Sequence, residues 1–273
     1  MFFNFSTNFL FGLFILLIFI DFSFYFFREI HIGLRLTIID INSIMKMKKN
    51  ILISSSNTKI GQFLTNCLQN HNLKYIDESS LAYKNTKELN KIFENIDTYF
   101  HLGYQGTNLN NERELIDFHT RKTYDILYAA GEQNIQRIFS ISTLDLFLEI
   151  EPNLTVTENW ELKFPVENID ILCANLSEKV CKEFARDQVF EVINLRLGDI
   201  NNQSNYKLSE KKLSKCLEKL LEFDFYSEES KLTKGPFNSA RKKGPNWINY
   251  HVQDSFKNQR FITNKIDRFM GES

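Results

Sequence analysis

Asn50-Ile51-Leu52-Ile53-Ser54-Ser55-Ser56-Asn57-Thr58-Lys59-Ile60-Gly61 decides the fold. Ile51, Leu52 and Ile53 form a short apolar run, with Lys48 and Lys49 before it and serines after it, which predicts a buried parallel strand. Beyond the serines, Ile60, Phe63, Leu64, Cys67 and Leu68 recur at helical spacing, the apolar stripe of a helix lying on a sheet. Lys74-Tyr75-Ile76 predicts a second strand ending at Asp77. The unit is strand, tight turn, helix, strand.

The alternation continues along the chain. Asp97 to Leu102 reads as a strand, and Glu112 to Ala130 as one helix closed by Gly131 as its C-cap. Gln136 to Ser142 is a strand, Glu178 to Arg186 a helix and Glu191 to Leu197 a strand. Lys207 to Leu221 is an amphipathic helix, and Trp247 to Val252 a final strand. This pattern predicts an α/β fold, a Rossmann-type doubly wound parallel sheet covered on both faces. Only Glu78 to Ile96 separates the second strand from the Asp97 strand, and Thr86 to Glu94 within it reads as helix. A third strand is therefore short or absent.

Composition narrows the function classes. With 43% apolar and 25% charged residues the chain is not a disordered one. A net charge of -1 without blocks of like charge points away from nucleic acid, and Arg241-Lys242-Lys243 reads as a solvated loop. Cys67, Cys173, Cys181 and Cys216 lie far apart with no CxxC pair, so neither a metal site nor a disulfide framework is expected. A reduced, cytoplasmic-type compartment is the simpler reading.

Residues 1–44 differ from the rest. Phe9 to Phe27 is nearly all Phe, Leu and Ile, with Asp21 its only charge. As a helix it is roughly 28 Å long, close to the hydrocarbon thickness of a bilayer. Burying the carboxylate costs about 3 kcal/mol, and the apolar side chains return roughly 4–7 kcal/mol. A single-pass anchor is one reading, with Arg28 and Arg35 keeping the remainder cytoplasmic. The other is upstream translation, with Met45-Lys46-Met47-Lys48-Lys49 as the natural start of the domain. Both stay open.

Four segments in order are similar to those of the NAD-dependent epimerase/dehydratase family, the extended short-chain dehydrogenases. They are Asn50 to Gly61, Asp97-Thr-Tyr-Phe-His-Leu-Gly103, Gln136-Arg-Ile-Phe-Ser-Ile-Ser-Thr143 and Asn194-Leu-Arg-Leu-Gly198, with a fainter echo at Ile248 to Asp254. The resemblance implies a dinucleotide-binding domain over residues 45–200 and a reduced substrate-side region over 201–273. It puts Ser55, Thr58 and Gly61 at the three glycine positions of the phosphate loop, with Lys59 and Ile60 opening the following helix. It also places Asp77 at the adenosine ribose, where a carboxylate favours NAD over NADP, and Leu102 and Gly103 along the cofactor. The replaced glycines imply binding of NAD that is weakened or lost.

The implied catalytic set is incomplete. Family members use a Tyr as acid/base, a Lys four residues later and a Ser or Thr that holds the substrate oxygen. Thr143 matches the last of these. Aligning the Glu178 helix with the family's places Asp170 at the Tyr and Ala174 at the Lys, and a shift of two gives Leu172 and Leu176. No Tyr occurs between Tyr128 and Tyr206, so the standard pair is missing. Asp170 is either a substitute acid/base or a surface loop carboxylate. His101 reads as a core histidine and His119 as a helix residue without a partner. Trp160, Phe164 and Pro165 line the substrate side or anchor a loop, and Arg196 faces either ligand or sheet edge. Leu115, Ile126, Leu127 and Phe184 serve either the core or a homodimer.

Two functions follow from these readings. One is an enzyme acting on a sugar or nucleotide-sugar through altered residues. The other is a catalytically inactive sensor or scaffold that kept the fold, either free or membrane-tethered through residues 9–27.

Overall fold

β1 (Asn50–Ser54) forms where the apolar run predicts it, with a strand paired on either edge and an apolar core packed on each face. The computed structural model describes residues 48–103, 111–135, 137–161, 167–201, 204–223 and 246–272. The apolar run Phe9–Phe27, the basic stretch Arg241–Lys243, and Gln136, Phe164 and Pro165 lie outside the described residues. Among the described residues no helix is long and apolar enough to cross a membrane.

After β1, Thr58 caps α1 (Lys59–Cys67) by accepting from the Gly61 amide. β2 (Asn72–Ile76) follows, then two short helices, α2 (Glu78–Ala82) and α3 (Thr86–Phe93). α3 opens on a capping box in which Asn85 and Glu88 satisfy each other's amides. No strand lies between β2 and β3 (Thr98–Leu102) among the described residues, as the short spacing predicts.

The helix expected over 112–130 is not a single α-helix. α4 (Glu112–Asp117) passes through a π-turn (Phe118–Lys122) into α5 (Thr123–Glu132), which ends at Gln133 rather than at Gly131. Asn134 takes the left-handed conformation (φ 57°). Gly131 serves contact instead of capping, because a Cβ there would lie 2.8 Å from Val189 Cγ1.

β4 (Arg137–Thr143) ends in a single 3₁₀ turn (Leu144–Phe147). The following helix, α6 (Ile169–Arg186), is twice as long as predicted. Asn168 starts it by accepting from the amides of Asp170 and Ile171. β5 (Glu191–Leu197), α7 (Glu210–Glu222), β6 (Trp247–Val252) and α8 (Asn264–Met270) follow among the described residues. Lys207 lies outside α7 and instead bridges to Asp199.

All six strands are parallel, in the order β2-β1-β3-β4-β5-β6. The order reverses between β1 and β3. One apolar core lies between the sheet and α1, α7 and α8, built on Ile53, Leu64, Phe100, Phe139, Leu195 and Leu217. A second lies on the opposite face, built on Leu52, Phe93, Tyr99, Ile126, Ile138 and Val192. Ile126 and Leu127 are fully buried there and Phe184 nearly so, so these side chains serve the core.

That second face changes character along the strands. Beyond Leu52, Tyr99, Ile138 and Val192, the alternating positions carry Ser54, His101, Ser140, Ser142, Asn194, Arg196, Asn249 and His251, all buried. α6 covers them with Asn175, Ser177 and Glu178. A polar layer therefore sits inside the protein, above an apolar one.

Candidate functional site at the carboxyl edge of the sheet

Ligands of open parallel sheets bind beyond the carboxyl ends of the strands, where the strand order reverses. Here that place is the loop after β1. Ser55 is buried and holds φ 56°, the left-handed conformation that glycine adopts without strain. Its amide donates to Ile76 O at 2.8 Å, which fixes the turn beside the end of β2. Gly61 packs against this turn, where a Cβ would come within 2.2 Å of Ser55 O. The turn after β1 is therefore tight, with Ser55 in a conformation that glycine favours and Gly61 packed against it.

The side chains of the loop are turned inward. Thr58 Oγ1 donates to Ser55 O at 2.8 Å and accepts from Gly61 N at 3.0 Å, so its hydroxyl is occupied within the loop and is not free to donate to a phosphate. Ser55 Oγ is buried with no hydrogen-bond partner among the described residues. Among the described residues no hydrogen bond occupies the amides of Lys59 and Ile60, which open α1 as donors at its positive end. The Ile60 and Leu102 side chains are core, leaving only their backbones to face a ligand.

Ser55→Gly is expected to stabilise the protein by about 1 kcal/mol. It relieves a left-handed conformation worth roughly 1–2 kcal/mol and frees a buried hydroxyl, against the greater flexibility of glycine in the unfolded chain. A urea midpoint that stays put or falls would show that the Ser55 hydroxyl has a partner of its own.

Asp77 sits at the end of β2, at the N-cap position of α2, yet makes no capping bond and is exposed. Its carboxylate is thus available beside the loop. Leu102 N donates to Ser54 Oγ and Gly103 N to Ile141 O, and these bonds hold the end of β3 in place. Gly103 is crowded, since a Cβ would meet Ile141 O at 3.0 Å and Ser177 Oγ at 3.1 Å.

The other half of the edge is a cleft of about 890 Å³ beyond β4, β5 and β6. Lys207, Lys257 and Arg260 line it, together with Tyr206, Gln253 and Phe256, and no carboxylate does. Arg260 is held by the carbonyls of Phe147 and Ile150, while its buried Nε makes no hydrogen bond. An anionic group suits this lining.

Thr143 closes β4, and its Oγ1 accepts from Asp145 N at 3.1 Å, which leaves the hydroxyl proton free to donate elsewhere. Asp170 lies in the first turn of α6, not in a loop, and is exposed. Tyr206, which follows the missing-Tyr interval, donates its hydroxyl to Asp145 Oδ1 at 2.9 Å. Burial first, then the Asp145 carboxylate, push its acidity well away from neutrality.

Arg196 turns into the polar layer, away from the basic cleft. It pairs with Glu178 through two bonds of 2.9 and 2.8 Å, both side chains buried, and donates to Trp160 O at 3.0 Å. Burial alone would raise the Glu178 carboxyl. The Arg196 charge and hydrogen bonds, aided by Ser142 and Asn194, outweigh this and hold it below the usual carboxylate range. His101 bonds to Tyr99 Oη and Ser177 Oγ, the core histidine its sequence position predicts. His119 is buried in the π-turn against the Phe118 ring.

No family model matches the chain, and no curated protein matches it significantly in sequence. Solved structures do. The glucuronic acid dehydrogenase of Chromohalobacter salexigens superposes with a TM-score of 0.61 at 12% identity, covering 82% of this chain and 84% of that one. The UDP-N-acetylglucosamine 4-epimerase of Bacillus cereus gives 0.54 at 16% identity over 82% and 92%. MoeE5 in complex with UDP-glucose and NAD gives 0.54 at 14% identity over 81% and 92%. This is the fold of sugar dehydrogenases and epimerases.

Within the sugar dehydrogenase and epimerase fold, the sequence reading brings Ser55, Thr58, Gly61 and Asp77 to one end of the edge. Thr143 ends the central strand of the same edge, and Asp170 opens the helix that covers the sheet. The sequence reading missed Asp145, Tyr206 and Arg260. Their contacts join residues 61 to 113 positions apart, and no local pattern signals them.

Proposed function

We propose that this chain is an NAD-binding protein of the epimerase/dehydratase type that acts on a sugar or nucleotide-sugar through non-standard catalytic residues. The observation that carries the reading is the loop after β1. Its backbone holds the phosphate-loop path with Gly61 against it, two helix amides are open, and the uncommitted Asp77 carboxylate stands at the end of the next strand. Those features fit a dinucleotide. The Lys59 and Ile60 amides receive its pyrophosphate, and Asp77 accepts from its ribose hydroxyls.

When bound, the cofactor supplies hydride exchange at its nicotinamide. The chain supplies orientation. Lys207, Lys257 and Arg260 hold the anionic end of the substrate, and the Thr143 hydroxyl donates to the reacting oxygen. Asp170 is the acid/base in this reading. Tyr206 is not, because Asp145 holds its proton.

The test is calorimetric titration of NAD(H) and NADP(H) into the full chain. NAD is expected to bind, and Asp77→Ala to weaken it by about tenfold or more, the effect of losing charge-assisted bonds worth roughly 1.5–3 kcal/mol. No heat with any dinucleotide, from protein shown to be folded, ends this reading.

A second reading is an inactive sensor or scaffold. It is favoured by the Tyr206–Asp145 bond together with the missing Tyr/Lys pair, which leave the edge without a strong acid/base. Binding of NAD without turnover of uronates or UDP-sugars supports it.

A further inference from the structure

We propose that the polar layer opens into a second ligand site, which takes a single neutral sugar or polyol ring, on the α6 face of the sheet. A pocket of about 260 Å³ lies there between α6, β6 and the segment Glu158–Glu161. It runs from Trp247, the first residue of β6, past the middle of α6. It shares no lining residue with the basic cleft or with the loop after β1, so it belongs to neither.

Its wall is fixed in advance. Asn249 Nδ2 donates to Glu158 O at 2.7 Å, Arg196 donates to Trp160 O at 3.0 Å, and Lys182 pairs with Glu161 at 2.6 Å. Three separate elements thus hold a segment that has no helix or strand of its own. A prearranged wall lowers the ordering cost of binding.

Two atoms in the pocket lack partners among the described residues. Asn175 Nδ2 is a buried donor without an acceptor, and Glu158 Oε1 a buried acceptor without a donor. Asn175 is 5% exposed. Leaving such groups unmade is costly, so both ask for a partner of complementary kind. An anion satisfies Asn175 and meets the Glu158 carboxylate with repulsion. A cation satisfies Glu158 and leaves the amide unmet. A hydroxyl donates and accepts, so a hydroxylated ring satisfies both.

The charges of the lining nearly balance, with Glu158, Glu161 and Glu178 against Lys179, Lys182, Arg196 and Lys265. Arg196 is neutralised by Glu178 and Lys182 by Glu161. Lys265 donates to Asn249 O and lies over the Tyr250 ring. The apolar part of the lining comes from Trp160 and Trp247, flat surfaces suited to the C–H face of a ring.

Those are the chain's two tryptophans, so its intrinsic emission reports on this pocket. D-glucose, D-galactose and myo-inositol are titrated into the full chain with NAD present, with glucuronate and choline as charged comparisons. At least one neutral probe is expected to shift tryptophan emission saturably and to give heat by calorimetry. Asn175→Leu, nearly the same in volume, is expected to weaken that probe by roughly tenfold or more while Asp77-dependent NAD binding stays unchanged. Glu158→Gln serves as the second variant and is expected to weaken it similarly. The proposal is overturned if no neutral probe gives a saturable response, if only a charged probe does, or if folded Asn175→Leu and Glu158→Gln both bind as the native chain does.

Discussion

Arg196→Met is expected to cost about 3–5 kcal/mol of unfolding free energy, because it strands the Glu178 carboxylate inside the protein. Both side chains of the pair are buried, and burial disfavours the carboxylate once Arg196 no longer offsets it. For a chain of this size the change corresponds to a melting temperature lower by roughly 6–20 °C. The double variant Arg196→Met with Glu178→Leu is expected to recover most of the loss, since two apolar side chains replace two desolvated charges. Urea denaturation of the native, single and double variants measures both numbers. A single variant within about 1 kcal/mol of native would mean that water reaches Glu178.

Stability is expected to fall steeply as the pH drops from about 6.5 toward 4. His101, His119 and His251 are all buried, and burial pulls their acidities down to about 4, about 3 and about 3. The Arg196 guanidinium adds to this at His251, and at His119 the cost of charging a second ring beside His101 does. Each ring is neutral in the folded protein and takes up a proton once unfolded. The unfolded state therefore binds more protons between the two values, and the stability present above the unfolded value is lost as pH falls through this window. Each histidine contributes about 1.4 kcal/mol per pH unit there, so three give about 4 kcal/mol per unit. From pH 6.5 to 5 the loss is about 5 kcal/mol, because the slope reaches its full value only below the unfolded value, and this is comparable with the whole stability of an ordinary domain. Glu178, held below its usual range, adds a further loss at lower pH as it takes up a proton. Urea midpoints at several pH values measure the slope, and His101→Gln is expected to remove about a third of it. A flat profile between pH 7 and 5 would rule out neutral, buried rings at all three positions.

What was legible followed from local periodicity. The apolar run at Ile51–Ile53, the stripe from Ile60 to Leu68 and the short interval before Asp97 specify a parallel sheet lacking one strand, and such patterns repeat within a few residues. The missing Tyr between Tyr128 and Tyr206 is likewise a property of the sequence alone. The longer α6 was readable in part, because Asn168 is a good N-cap, yet only the charged half of the helix drew the assignment. At Gly131 the cap reading failed because a glycine also answers a close approach, here by Val189, that lies 58 positions away.

The sequence by itself determined the order of strands and helices, the tight turn before the helix that carries Gly61 and the lack of any Tyr between Tyr128 and Tyr206. Each depends on neighbours in the chain. Only the tertiary structure decided that Ser55 takes a left-handed conformation, that Arg196 is spent on Glu178 and that Tyr206 is tied to Asp145. It also made the polar layer and its pocket, because a half-buried strand with serines, asparagines and histidines reads the same whether water or another helix covers it. Which of the two covers it is settled by α6 and by the segment at Glu158, through hydrogen bonds spanning 18 to 91 positions.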